Sequence, residues 1–472
     1  MKCRAYTLPG EGIIHMLSEY EINLALRLRP QGFEDMRFDD EDYTRCFLAC
    51  FNESKKSILT IGEAGSGKTR IMKAVAAHYG AGALVLTLTG MGAQTLNDDR
   101  TRAMTIHAGL GLPARPYYNE TDIFRRPIEA LRGIDVVLLD EVSLVNANLL
   151  DTIIRHINVA NENRRRKIRL LAFGDPFQAS PVFKETELEP VLRDHPNLRN
   201  CWAFTRSRMF ERMEPELHVL RKVYRQKDPE FRAVLGRIRE GKATESDMKY
   251  LNAHVSDTPN KHSLVLATTL REVRNINGEH LDQLLRSQKP VNYDARFELG
   301  NKISDSGFEP HLELCKGERV MCTRNHYSPD GDPIFCNGKL GTIIDFRVED
   351  GSLLPVVRAD SGEVFVVPYV DYEECELRKN EEGKYDYVPK AKAFMIPLAA
   401  SWAITYHKAQ GQTLDDVHLQ IPDRCPQEGL MYMGLSRTRS IKGLTLSKEV
   451  TRDMFIVPEF AKAFLKPAEL TR

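Results

Sequence analysis

The stretch "SILTIGEAGSGKTRIMKAVAAHYG", residues 57–80, sets the reading of everything else. Ser57 to Ile61 is a short apolar run of strand-forming residues. From Lys68 onward, Ile71, Met72, Val75 and Ala76 recur at helical spacing. Between strand and helix, Gly62-x-x-x-x-Gly67-Lys68-Thr69 forms a phosphate-binding loop pattern. Gly65 and Gly67 permit tight turns, so that successive N–H groups point at a phosphate on a helix N-terminus. Gly62, Gly65, Ser66 and Gly67 are expected to line this cradle. Lys68 should reach the β- and γ-phosphates, and the Thr69 hydroxyl should ligate Mg²⁺. The expected cofactors are therefore ATP and Mg²⁺.

A magnesium–phosphate site needs a carboxylate from a neighbouring strand. "IDVVLLDEVSLV" (134–145) supplies one, because Ile134 and Val136 to Leu139 read as a buried parallel strand ending in Asp140 and Glu141. Asp140 is expected to hold the metal through water, and Glu141 to polarise the attacking water. A third strand, "IRLLAF" (168–173), ends in "GDPFQASPV" (174–182), where Gln178 is placed to sense the γ-phosphate or hold its water. Three strands with their chemistry at the carboxyl ends fit an open, doubly wound α/β sheet.

The chain has 472 residues, more than one core usually serves, so several domains are expected. Apolar residues make up 42% and charged residues 28%, the composition of a globular protein. Lys plus Arg and Asp plus Glu both number 66, so no global charge advertises a nucleic-acid partner, although a channel needs only local charge. The densest basic run, "RRRKIR" (164–169), reads as a solvated helix end before a strand. Nine Cys without a C-x-x-C pair read as reduced thiols. The group Cys315, Cys322, Cys336, His311 and His326 fits no common zinc spacing. The N-terminal "MKCRAYTLPGEGIIHML" lacks an apolar core for secretion, and no apolar run of about 18 residues occurs. A cytoplasmic, bacterial or phage-like protein with no membrane partner is expected.

The order of motifs resembles superfamily 1 DNA helicases of the 5′-to-3′ subgroup: the Pif family, RecD-like proteins and the phage Dda helicase. "GEAGSGKT", "LLDEVSLV" and "GDPFQASPV" look like motifs I to III. "LRKVYRQKDPEFRAVLGRIREG" (220–241) looks like motif IV. "PLAASWAITYHKAQGQTLDDV" (397–417) and "MYMGLSRTRSIKGLTL" (431–446) look like motifs V and VI. The resemblance spans roughly residues 57–446. It implies two RecA-like P-loop ATPase domains facing each other across the nucleotide. The first, 1A, would occupy 43–215 after an N-terminal extension at 1–42. The second, 2A, would occupy 216–290 and 393–472, interrupted by a small β-barrel, 2B, at 291–392.

The same resemblance implies roles. Arg225 and Arg437 would reach the γ-phosphate from the second domain. Gln410 and Gly411 would lie on the nucleotide side of motif V, with Thr405 and His407 nearer a DNA strand. Tyr224 is suited either to stack on adenine or to be a core aromatic. "LVLTLTGMGAQTL" (84–96) and "MTIHAGLGL" (104–112) resemble motifs Ia and Ib, which makes Thr89, Gly90, Thr105 and His107 candidates for nucleic-acid contact. A short wedge insertion, 1B, would fall at "LPARPYYNETDIFRRPIEALRG" (112–133). There Tyr117, Tyr118 and Phe124 are either π surfaces for strand separation or packed linker aromatics. Three features depart from the family pattern. No Gln precedes motif I in "FDDEDYTRCFLACFNESKK" (38–56), which leaves the reader of the base open. Motif III reads Gln178-Ala179-Ser180-Pro181, and the second-domain helix begins Thr269-Leu270, keeping Asn277. The expected partners are single-stranded and forked DNA, with a monomer acting on DNA and replication or recombination proteins nearby. The rival readings are an RNA or RNA–DNA hybrid helicase, and an ATP-gated single-strand binder that does not unwind.

Overall fold

The computed structural model describes residues 17–52, 57–97, 100–113, 115, 117–179, 181, 207–259, 263–303, 308–328, 333–349, 351–379, 385–458 and 461. The N-terminal residues 1–16, Ser180 of the third motif and most of the chain beyond 458 lie outside them.

The first domain is built on six parallel strands: β1 (Ile58–Gly62), β2 (Ala83–Thr87), β3 (Ala103–Thr105), β4 (Val136–Leu139), β5 (Arg169–Gly174) and β6 (Glu216–Leu220). Their order is β3-β2-β4-β5-β1-β6, all parallel. Parallel strands need crossovers, and these place helices on both faces. Side chains alternate accordingly. Val136, Leu138, Leu171 and Phe173 face one core, with the P-loop helix Lys68–Tyr79. Val137, Leu139, Leu170 and Ala172 face the other, with the helix Ala147–Asn161.

Three of the expected boundaries need correction, two of them in the first domain. Strand β6 pairs with β1 from Ile58↔Glu216 to Gly62↔Leu220, so the first domain runs past 215. Among the described residues of the supposed N-terminal extension, Ala25, Phe33, Met36 and Phe38 are buried in the first domain's core against Phe47, Ile71 and Val75. They belong to the body of the domain.

The second domain carries four parallel strands in the order Ala403–Thr405, Leu264–Ala267, Val417–Leu419 and Leu444–Leu446. The helices Pro229–Arg239, Glu245–Asn252 and Leu430–Leu435 pack into one core with it. Asn277, singled out in the sequence, joins the helix Leu270–Leu285 to this sheet. Its amide donates to the carbonyls of Ala400 at 2.7 Å and Ala403 at 3.1 Å and accepts from the Ala403 N–H at 2.7 Å.

Between the second domain's first and later strands lies an antiparallel β unit around its own core, including Tyr293, Cys322, Ile343, Tyr372 and Met395. It extends beyond the expected limit of 392, because Leu398–Ala400 pairs with Arg319–Cys322 in its five-stranded sheet. The two ends of the basic run are taken into the fold, while Arg165, Arg166 and Lys167 between them are exposed. Arg164 donates to the carbonyls of Leu131 and Ile134, and Arg169 is buried, donating to those of Cys50 and Ala49. Among the described residues no helix is long and apolar enough to cross a membrane.

Candidate active site in the cleft between the two parallel sheets

The P-loop follows β1 directly. Gly65 and Gly67 adopt φ of +85° and +90°, the left-handed region in which only glycine is unstrained. They are also places of close approach: a side chain on Gly65 would strike Arg225, and one on Gly67 would lie 2.8 Å from the Tyr43 ring. Lys68 is folded inward, its ammonium donating to the carbonyls of Gly62 at 2.7 Å and Glu63 at 2.9 Å. Burial lowers its pKa, against the charges of Asp175, Glu141 and Asp140. Thr69 is exposed at the start of the P-loop helix.

Strand β4 delivers Asp140 and Glu141 beside the loop. The buried Asp140 has its pKa raised to about 7, by burial first and by Glu141 second. Glu141 holds a left-handed φ of +49°, a conformation that costs a non-glycine residue about 1–3 kcal/mol. That twist turns its carboxylate toward the second domain, where Gln410 Nε2 donates to it at 3.2 Å. Gly411, with φ +80°, lies alongside.

The second domain closes the cleft from the opposite side. The Tyr224 N–H donates to the Gly65 carbonyl at 2.8 Å, and the Ala64 N–H donates to the Tyr432 hydroxyl at 3.3 Å. Arg225 Nη1 donates to the Ser436 carbonyl at 3.1 Å. Burial, and then the neighbouring charge of Arg437, lower the Arg225 pKa to about 10. Arg437 is 1% exposed and held by its own domain. Its guanidinium donates to the Met433 carbonyl at 2.8 Å, the Gln412 carbonyl at 3.2 Å and the Ser436 hydroxyl at 2.9 Å. Burial also lowers the Arg437 pKa, while Glu141 across the cleft counteracts this. Lys68 and Arg437 thus both act on Glu141, so the two ends of the sequence meet.

Three polar atoms in this cleft are buried without a hydrogen-bond partner among the described residues: Ser66 Oγ, Gln178 Oε1 and Gln410 Oε1. A buried polar atom left in that state costs about 1–3 kcal/mol. The charges of Arg225 and Arg437 lie close enough to oppose each other, and the carboxylates of Asp140 and Glu141 crowd together. A polyanion with a divalent cation relieves both repulsions and offers partners to the orphaned atoms, so the residues fit Mg²⁺ and a nucleoside triphosphate.

Tyr224 is 43% exposed, edge-on to Tyr43 with ring centroids 5.9 Å apart, and Lys222 sits 5.2 Å above it. Of its two readings, an exposed ring beside Gly67 fits a base-stacking surface better than a core aromatic. Glu63, Asp175, Tyr432 and Arg239 were missed by motif reading. Arg239 does carry a sequence signal, since it falls on the apolar face of its helix with Leu235 and Ile238.

The expected nucleic-acid contacts divide into groups. Thr89, Thr105 and Thr405 each accept a backbone N–H, from Gly92, Ala108 and Lys408, and so fix local turns while their hydroxyl protons stay available to a phosphate. Gly90 is buried against the insertion, where an added Cβ would lie 2.5 Å from the Asn337 carbonyl. His407 pairs with Gln427 Oε1 at 2.7 Å. His107 is half-buried, its Nε2 without a partner among the described residues, beside a groove of about 480 Å³ lined by Leu112, Phe124, Arg125 and Arg126.

The wedge aromatics must be corrected. Tyr117 is 7% and Tyr118 1% exposed. The Tyr118 hydroxyl donates to the Pro113 carbonyl at 2.7 Å, and its ring packs edge-on against Phe124. Phe124 in turn stacks on His156 with centroids 5.7 Å apart and lies under Arg115. The two tyrosines are packed linker aromatics, as in the alternative reading, whereas Phe124 is half-buried and lines the groove beside His107.

Residues 49–184 match the family described as AAA domain. The chain is 26% identical to human ATP-dependent DNA helicase PIF1 over 399 residues, covering 82% of this chain and 58% of that one. It is 27% identical to ATP-dependent DNA helicase Pif1 of Bdellovibrio bacteriovorus over 428 residues, covering 86% and 87%. This chain therefore spans less than two thirds of the human relative and most of the bacterial one. Among solved structures, Pif1 helicase from Bacteroides in complex with ADP-AlF3 and ssDNA superposes with a TM-score of 0.77 at 26% identity, over 93% of this chain and 98% of that one. Bacteroides Pif1 bound to ssDNA gives a TM-score of 0.75 at 27% identity, over 92% and 97%.

Proposed function

We propose that this chain, a superfamily 1 helicase of the Pif1-like group, hydrolyses ATP between its two parallel-sheet domains to move along single-stranded DNA and to unwind duplexes. The observation that carries the reading is the convergence of Lys68, Asp140 and Glu141 from one domain with Arg225, Gln410 and Arg437 from the other around orphaned buried polar atoms. The similar Pif1 helicase from Bacteroides, solved in complex with ADP-AlF3 and ssDNA, supports the reading.

In this reading Gly62, Gly65, Ser66, Gly67 and Lys68 cradle the phosphates, and Thr69 and Asp140 hold Mg²⁺. The metal, when bound, would supply positive charge that offsets the phosphates and the charge developing during transfer. Glu141, oriented by Gln410, takes the proton of a water that attacks the γ-phosphorus as the bond to ADP breaks. Gln178 holds that water, while Arg225 and Arg437 stabilise the charge on the equatorial oxygens. Because the arginines and Gln410 come from the second domain, turnover requires closure, and DNA lying across both domains through Thr89, Thr105, Thr405, His107 and His407 promotes it. Motion 5′ to 3′, action as a monomer and Tyr224 as the base-stacking ring complete the proposal.

The test is ATP hydrolysis with and without oligo(dT), with RNA in a parallel arm, followed by unwinding of duplexes carrying a 5′ or a 3′ tail. Stimulation by oligo(dT) and opening of the 5′-tailed duplex are expected. Log affinity for the oligonucleotide should fall against log salt by about 0.7 per phosphate contact. Stimulation by RNA alone, or ATP-dependent gripping without unwinding, would overturn the DNA helicase reading.

A further inference from the structure

Arg239 ends the helix Pro229–Arg239 of the second domain, whose Phe231, Val234, Leu235 and Ile238 are buried. Arg239 points the same way and is itself 6% exposed. Its guanidinium crosses into the first domain. There Nη2 donates to Asp175 Oδ1 at 2.9 Å, and Nε reaches both carboxylate oxygens at 3.3 and 3.4 Å. Nη1 lies 4.0 Å from Glu63 Oε1, and the guanidinium plane sits 4.1 Å from the centre of the Phe177 ring.

Asp175 is fully buried at the end of β5. Its carboxylate accepts the Phe177 N–H at 3.2 Å, and Gln178 Nε2 approaches it at 3.5 Å. One carboxylate therefore shapes the turn that carries the water-holding Gln178. The turn is closed by the Gln178 N–H donating to the Asp175 carbonyl at 3.1 Å, and the second domain approaches it again at Gly429, where a Cβ would lie 2.6 Å from the Gln178 carbonyl.

A buried ion pair is a poor device for stability alone, because desolvation offsets the attraction and an apolar pair of the same volume serves as well or better. What it does supply is geometric demand: a planar fork matches a carboxylate only at one separation and angle. Here that demand spans the domain boundary and ends one residue-turn away from Gln178.

We propose that Arg239 is a positioning residue for hydrolysis: by clasping Asp175 when the second domain closes on the P-loop, it sets Gln178 in place, so that the water is held only in the closed cleft. This rests on the ATPase reading above. It assigns to motif IV's helix a task separate from that of Arg225, which addresses the nucleotide itself.

The experiment compares Arg239→Met, Arg239→Lys, Asp175→Asn and the pair Arg239→Met with Asp175→Asn in the full chain. Met fills the space over Phe177 but leaves the Asp175 carboxylate buried without its ionic partner, so the melting temperature of this variant is expected to fall, and its kinetics are measured below that transition, where it is folded. Its kcat for oligo(dT)-stimulated ATP hydrolysis should fall by about 10²-fold, the size of loss from an ångström-scale misplacement of a reacting group. KM for ATP and the affinity for fluorescent mant-ADP should stay within about threefold, since Arg239 acts through Gln178. Lys should recover part of kcat, and the double variant should lose no more than Asp175→Asn, since coupled residues are not additive. Unchanged kcat in folded Arg239→Met, a loss confined to KM, or additive losses would overturn the inference while leaving the ATPase reading intact. A wild-type chain without oligo(dT)-stimulated hydrolysis would overturn both.

Discussion

The two parallel-sheet domains face the same cleft but prepare it differently. The first holds its groups under tension: Glu141 in a left-handed conformation, Lys68 folded onto its own loop, Asp140 raised to about 7 by burial and Glu141, and Ser66 and Gln178 with unpartnered oxygens. The second holds its main group in place, with three of the five N–H donors of Arg437 taken by two carbonyls and a hydroxyl of its own fold. The difference teaches a division of labour. The first domain carries backbone strain and unpaired buried oxygens that fit a phosphate ligand, and the second presents a prebuilt cationic wall.

If that division is right, removing the wall should cost most. Arg225→Ala and Arg437→Ala should each lower single-turnover ATP hydrolysis by about 10³–10⁵-fold, with mant-ADP affinity far less affected. A loss under tenfold for both would mean that the first domain works alone. Glu141→Gln keeps the shape but not the base. It should lower turnover by about 10²–10⁴-fold while retaining ATP binding, measured by filter binding and steady-state hydrolysis. Tyr224→Ala sharpens the boundary between the two domains at the base. The lost stack, on the order of 1–3 kcal/mol, should raise KM for ATP by about 5- to 150-fold with little change in kcat. The smallest effect is expected away from the cleft. Tyr118→Phe removes one hydroxyl donation to Pro113 and should lower stability by about 1 kcal/mol in urea unfolding, leaving unwinding rates unchanged. Tyr118→Ala should instead destabilise the first domain by about 3–5 kcal/mol, a folding defect rather than a lost wedge.

Much of this was legible in the chain, and physical reasons separate what was from what was not. The P-loop, Asp140–Glu141 and the motif arginines announce themselves because phosphate chemistry restricts residue type and spacing. The sheet's membership was less legible. Glu216–Leu220 reads as a strand on either side of a boundary, and only its register with Ile58–Gly62 places it in the first domain. Phe33, Met36 and Phe38 stand among acidic residues, so local composition hid a contribution to the core. Tyr117 and Tyr118 were ambiguous because an aromatic looks the same whether it packs inward or faces a base; the partners Asn148 and Pro113, which hold Tyr118 in place, belong to no motif and are not chosen by its chemistry. Arg239 was overlooked because its meaning lies in Asp175, 64 residues away in sequence.

The central claim is a nucleotide shared by two walls, and trapping a transition-state mimic tests it most directly. Mant-ADP, Mg²⁺ and aluminium fluoride would be mixed with the chain and oligo(dT), and the slowly dissociating fluorescent complex measured after a chase with unlabelled ATP. The account predicts a long-lived complex with the wild-type chain, free exchange of mant-ADP in Arg225→Ala and Arg437→Ala, and no binding in Lys68→Ala. Equally durable trapping in both arginine variants would contradict it, because the second domain would then contribute nothing to the phosphoryl group in flight.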